Sequence, residues 1–140
     1  MRNVLRIAIV VMALAVPSIA IAAAGHQVRA INCGREQFEP SRIILSCGDA
    51  GIWLGKLKWS HWNGETAAAA GSYNENNCTP TCSAGHNISK PVKIMLSRPK
   101  PCPGQTNPAF GRATFSFPSG TPPFAYHRFT FRCPVLPGQY

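Results

Sequence analysis

Six cysteines, Cys33, Cys47, Cys78, Cys82, Cys102 and Cys133, follow an apolar amino-terminal segment, and this pairing constrains the fold more than any other feature. The segment has the parts of an export signal. Arg2 and Arg6 make a basic start, Val4 to Val16 is apolar apart from Arg6, Pro17 breaks the run, and Ala20, Ala22, Ala23 and Ala24 offer small residues for cleavage. About a dozen apolar residues fall short of the roughly 20 that a spanning helix needs. The expectation is a signal peptide over residues 1–24 and no transmembrane span once it is removed. In the oxidising compartment beyond, an even number of cysteines reads as disulfides, whose pairing the spacing does not settle. A bridge from Cys47 to Cys78 or Cys82 closes the longer loop, worth about 3–4 kcal/mol, and a Cys78–Cys82 bridge about 2. The short bridge needs a turn, because four extended steps separate the Cα atoms by some 13 Å where a bridge tolerates about 6 Å. Thr79-Pro80-Thr81 is the candidate turn, and both pairings stay open.

Removing 24 of the 140 residues leaves 116, the size of one domain. Without Arg2 and Arg6, twelve basic residues face five acids, a net charge of +7. The basic residues stand singly from Arg29 to Arg132, so no run marks a nucleic-acid-binding arm. The sign alone gives a modest attraction to anionic envelope polymers or lipids, against the blander reading of a soluble, self-repelling surface.

Periodicity supplies the rest of the fold. Residues 25–40 are polar and read as an irregular arm. Arg42 to Cys47 is a short β-rich run ending at the turn cluster Gly48-Asp49-Ala50-Gly51. Ile52 to Trp62 alternates, with Leu57, Trp59 and His61 on one face and Lys56, Lys58, Ser60 and Trp62 on the other. Thr66 to Tyr73 is too short and too Gly-interrupted for a helix, and reads as a strand of small residues where another layer comes close. Asn74 to Asn87 reads as a loop. Pro91 to Ser97 is the cleanest strand, with Val92, Ile94 and Leu96 on one face. Arg98 to Gly111 is too proline-rich for a ladder and reads as a loop pinned by Cys102. Arg112 to Phe117 and Tyr126 to Cys133 alternate again and predict a hairpin with His127, Phe129 and Phe131 inside. No amphipathic helix appears. The expected fold is all-β: a small, loop-rich, disulfide-stapled antiparallel β-sandwich, with Ig-like layers or a small barrel, over residues 41–133 and with a flexible tail 134–140.

Candidate chemistry is sparse. Cys78-x-x-x-Cys82-x-x-x-His86 resembles a metal half-site that Asp49 or His61 would complete, but its spacing fits no familiar zinc module and the compartment favours disulfides. His26, His61, His86, His127 and Asp49 carry no G-x-S-x-G or H-E-x-x-H signature. The five acids are scattered over loops, unlike the placed pair that glycoside hydrolysis uses. The best binding candidates are Trp62, Lys56, Lys58 and His61. An exposed indole beside lysines stacks on a sugar ring or lies at a membrane surface, and the competing reading packs the indoles between layers beneath lysine stems.

The central motifs are Ile44-x-x-Cys47-Gly48-Asp49, Leu57-x-Trp59-x-x-Trp62, Ala68-x-Ala70-Gly71, Asn77-Cys78-Thr79-Pro80-Thr81-Cys82-Ser83-Ala84-Gly85 and Pro91-Val92-x-Ile94-x-Leu96-Ser97-Arg98-Pro99. This pattern resembles a group of small exported actinobacterial proteins. That family carries the equivalents of Cys47, Cys78 and Cys82 more regularly than the other three cysteines. The resemblance implies secretion and a cell-envelope setting, and it implies no activity.

The function expected is therefore a secreted or wall-associated binding or structural domain with no catalytic residues, metal or cofactor, and with anionic or carbohydrate envelope polymers as partners. The alternatives are a small secreted hydrolase using His61 or His127, and an inhibitor of secreted hydrolases presenting the Arg98–Pro108 loop.

Overall fold

The computed structural model describes residues 27–134. The expected signal segment 1–24 lies outside the described residues, as does the expected tail beyond Pro134. Two strands, β1 (Ala30–Asn32) and β2 (Arg35–Gln37), form a small hairpin. Then β3 (Ile43–Ile44), β4 (Ile52–Trp62), β5 (Ala67–Asn76), β6 (Asn87–Lys100), β7 (Ala109–Ser116) and β8 (Arg128–Thr130) pair in chain order into one antiparallel sheet. Every neighbour in that sheet is a sequence neighbour, so the topology is a meander. The sheet curls into a half-barrel, all-β and disulfide-stapled as the periodicity predicts.

β6 shows how the sequence builds the core. Val92, Ile94 and Leu96 are buried, whereas Lys93 and Met95 face outward. Each such buried side chain contributes about 1.5–3 kcal/mol relative to exposure. Leu54 and Leu57 of β4, Ala67, Ala69 and Tyr73 of β5, and Ala113 and Phe115 of β7 complete the inner face. Phe117 and Phe129 pack against this core, and Phe131 beyond β8 is buried in it. His127, expected inside with Phe129 and Phe131, is exposed instead. β8 is only three residues long, so the strict alternation does not extend back to it.

Several boundaries move. The arm expected over residues 25–40 contains the β1–β2 hairpin and buries Val28, Ala30 and Ile31. The run expected over Arg42 to Cys47 is a strand only at Ile43–Ile44. β5 continues to Asn76, and β6 reaches from Asn87 to Lys100, so both loops flanking β6 are shorter than their polar and proline content implies.

All six cysteines are bridged, as Cys33–Cys47, Cys78–Cys82 and Cys102–Cys133. The long bridge from Cys47 to Cys78 or Cys82 does not form, because the Asn32 side chain holds Cys33 beside the β3–β4 turn. Its Nδ2 donates to the Arg42 carbonyl at 3.1 Å and its Oδ1 accepts the Ile44 N–H at 2.9 Å. The Cα atoms of Cys33 and Cys47 are then 5.5 Å apart. Thr79-Pro80-Thr81 does make the turn for the short bridge, bringing the Cα atoms of Cys78 and Cys82 to 3.7 Å.

The amino-terminal segment closes the open side of the curl. Arg29 bridges in parallel to Ala109 of β7, with the Arg29 N–H on the Pro108 carbonyl at 2.8 Å and the Phe110 N–H on the Arg29 carbonyl at 2.9 Å. A few residues on, Asn32 and Cys33 fasten to β3 and the turn after it. One short stretch thus ties the seventh strand to the third.

Candidate functional site

The outward face of the sheet is set by β4, and β4 is not regular. Its pairing with β5 slips by one residue between Gly55 and Lys58, and again between Trp59 and His61. Lys56 sits in the first slip with φ of 52°, an extra residue that keeps Leu54 and Leu57 both inward. A Cβ at Gly71, opposite this bulge, would lie 2.6 Å from the Gly55 carbonyl oxygen and 2.9 Å from Leu57 Cδ2. The close neighbour expected along the small-residue strand is thus the bulge of β4, and β5 meets it with glycine.

The second slip reverses the phase of the strand end. Trp59 lies inward with Leu57, as alternation predicts, but the extra residue turns His61 outward and Trp62 inward. Trp62, expected on the lysine face, packs edge-on against Trp59 at 4.5 Å and Phe110 at 5.4 Å. Phe38 covers it at 5.1 Å, and its Nε1–H donates to the Val28 carbonyl at 2.9 Å. The Trp59 Nε1–H is satisfied by the Pro40 carbonyl at 3.0 Å. Both indoles therefore have an apolar body in the core and a donor fixed to the amino-terminal segment. Trp53 is partly buried, with the Arg42 guanidinium over its ring at 5.2 Å.

What remains outside is a cationic face. The register aligns Lys58, Ala70, Lys93 and Ser116 in one row across β4, β5, β6 and β7. The next row holds His61, Ala68, Met95, Thr114 and Arg128. The row after that holds Ser97, Arg112 and Thr130. Neighbouring rows stand about 7 Å apart and neighbouring strands about 5 Å. No acidic residue occurs in these rows. The short side chains of Ala68 and Ala70 leave a groove of about 520 Å³ between Lys58 and Ser60 on one side and Lys93, Met95 and Ser116 on the other. Met95, 51% exposed, supplies an apolar patch on its wall.

The remaining candidates do not converge. His61 Nε2 lies 3.2 Å from Thr66 Oγ1, at the end of β4. His127 stands across the sheet beside β8, with the Phe117 ring at 6.1 Å. His86 is exposed after the bridged loop, and the bridge occupies both sulfurs of the suspected half-site. His26 lies outside the described residues. Asp49 caps its own turn, accepting the Gly51 N–H at 2.9 Å. That bond, followed by the Ser46 hydroxyl, holds its carboxyl below the ordinary value. Glu75, expected in a loop, is fully buried in β5. Its Oε1 accepts the Phe124 N–H at 3.3 Å, while Oε2 has no partner.

Of the binding candidates read from the sequence, Lys58 and His61 are thus on the outward face, Lys56 is exposed at the bulge, and Trp62 belongs to the core. Lys93, Arg112 and Arg128 are additions that only strand register brings beside Lys58. The loop expected to face a hydrolase loses Arg98, Pro99 and Lys100 to β6. The three bridges are the state of a chain in an oxidising environment, and among the described residues no helix is long and apolar enough to cross a membrane. No family model, curated protein or solved structure matches the chain.

Proposed function

We propose that this is a secreted, non-catalytic binding domain that holds an anionic polymer of the cell envelope on the outward face of its sheet. The observation that carries the reading is the placement of Lys58, Lys93, Arg112 and Arg128 on four of five adjacent strands with no acid among them. A rigid sheet fixes the spacing of such charges, and the alanine floor lets a chain lie close to the backbone. Exposed cations each give little, but a row of them meeting a polyanion adds up and is weakened by salt. The apolar start of the sequence and the three bridges supply the secretory setting, and the resemblance to exported actinobacterial proteins points to the same place.

Co-sedimentation with purified cell wall tests this. Wild-type protein is expected to be retained at low ionic strength and released as salt rises. Lys58→Gln with Lys93→Gln should weaken retention roughly tenfold, about 0.7 kcal/mol for each cation lost. Trp62→Ala, by contrast, should lower stability by about 3 kcal/mol while the folded fraction still binds. Retention that ignores both salt and the two lysines would refute the proposal.

A further inference from the structure

One end of the cationic face is more than a row of separated charges. Arg98, Pro99 and Lys100 of β6, Gly111 and Arg112 of β7, and Thr130 of β8 enclose a separate small pocket of about 290 Å³. The backbone is shaped to gather the cations. Arg98 has φ of 56°, in the left-handed region that arginine seldom enters. The glycine opposite makes room: a Cβ at Gly111 would sit 2.9 Å from the Arg98 carbonyl oxygen and 3.5 Å from Cδ and Cε of Lys100. The Lys100 stem runs alongside that position at ordinary contact distance. Arg112 and Thr130 are paired residues of adjacent strands on the same side. No acid lines the pocket.

We propose that this pocket is a site for a phosphate monoester, and that it recognises a phosphate carried on the polymer held by the rest of the face. The inference rests on the reading of that face as an anion-binding surface and sharpens it. Two arginines, one lysine and one threonine line this small concavity and bring it a charge of +3 and many donors. A phosphate monoester near neutral pH carries between one and two negative charges and three free acceptor oxygens, and so answers more of that charge than a carboxylate or a diester does. Guanidinium forks add directional, paired hydrogen bonds to phosphate oxygens. Lys58 and Lys93, two rows away, are free to follow the polymer backbone.

The test uses the disulfide-intact chain and inorganic phosphate as probe, with ionic strength held constant by chloride. Amide shifts should saturate and be confined to residues 98, 100, 111, 112 and 130. Arg98→Gln with Arg112→Gln should weaken phosphate at least roughly tenfold, whereas Lys58→Gln with Lys93→Gln should leave it within about twofold. Shifts that spread over the whole face and rise linearly, or an unchanged affinity in the Arg98/Arg112 variant, would overturn the site. A second arm distinguishes the source of the phosphate: an envelope polymer bearing monoesters is compared before and after phosphatase. Weaker binding after treatment supports a polymer-borne phosphate. Equal binding overturns that part and leaves free phosphate as the ligand. Polymer retained through Lys58 and Lys93 with no phosphate in the pocket ends this inference alone. Phosphate seated in the pocket with no polymer retained ends the proposed function and the polymer-borne source, and leaves the phosphate site standing.

Discussion

Tyr73 is wholly buried, yet its hydroxyl is engaged. It accepts the Tyr126 N–H at 3.1 Å and donates to the Phe124 carbonyl at 3.5 Å, pinning the loop between β7 and β8. Burial, above all, pushes its phenol up to about 12, although the Tyr126 N–H pulls the other way. The fold thus favours the neutral phenol over the phenolate. Stability from this group is complete below its unfolded value near 10 and is lost as pH climbs from there through about 12. Urea denaturation from pH 9 upward should show that fall, and phenolate absorbance should show one tyrosine titrating late. A Tyr73 phenolate already formed at pH 10 would contradict the assignment. Neither Tyr73 nor Glu75 advertises its burial in the sequence. Tyr73 closes the strand read from the sequence, Asn-Glu-Asn-Asn after it has a loop composition, and only the inward phase of β5, running through Ala67, Ala69 and Tyr73, carries Glu75 inside.

At the level of strands, β6 explains which signals were readable. Its middle, Val92 to Leu96, alternates cleanly and is found where periodicity puts it. Its ends carry Pro91 and Pro99, which argue against a central strand because proline lacks the ladder donor. Both are tolerated because the ladders on its two sides are offset. At Pro91 the strand pairs with β5 at Ser72, but pairing with β7 begins only at Lys93. At Pro99 it pairs with β7 at Phe110, but pairing with β5 has ended at Leu96. Each proline therefore lies where β6 is an edge, and that offset is invisible without the register. In β4 the same kind of information was missing: the bulge after Trp59 inverts Trp62 and His61, and a strictly alternating reading has no means of placing an extra residue. The connections offer a test of a different sort. Cys102–Cys133 ties together residues 31 apart and Cys78–Cys82 residues 4 apart. Replacing both cysteines by serine should cost about 3–4 kcal/mol for the first pair and about 2 for the second. Chemical denaturation of the two double variants should show that order, and the reverse order would show that strain or residual structure outweighs loop closure.

Taken whole, the molecule separates its chemistry by face: aromatic and aliphatic groups within the curl, cations without. The all-β class and the engagement of every cysteine were legible, because each follows from composition and short-range pattern. The binding face was not. Lys58, Lys93, Arg112 and Arg128 are far apart in the chain and look like solvated single charges until five strands align them.

The strip at Arg29 that joins the seventh strand to the third also fixes an order of assembly. Hairpins from β3 onward can zip up locally, each on its predecessor, but the backbone bonds of Arg29 have no partner until β7 exists. Contacts that wait on distant partners form late. In pulse-labelled hydrogen exchange the amides of Arg29 and Phe110 should gain protection after those of β4 and β5, and simultaneous protection would contradict this. The strip at Arg29, early in the described chain, is then among the last parts to lock, so a molecule cut short before β7 would lack the partner that Arg29 pairs with.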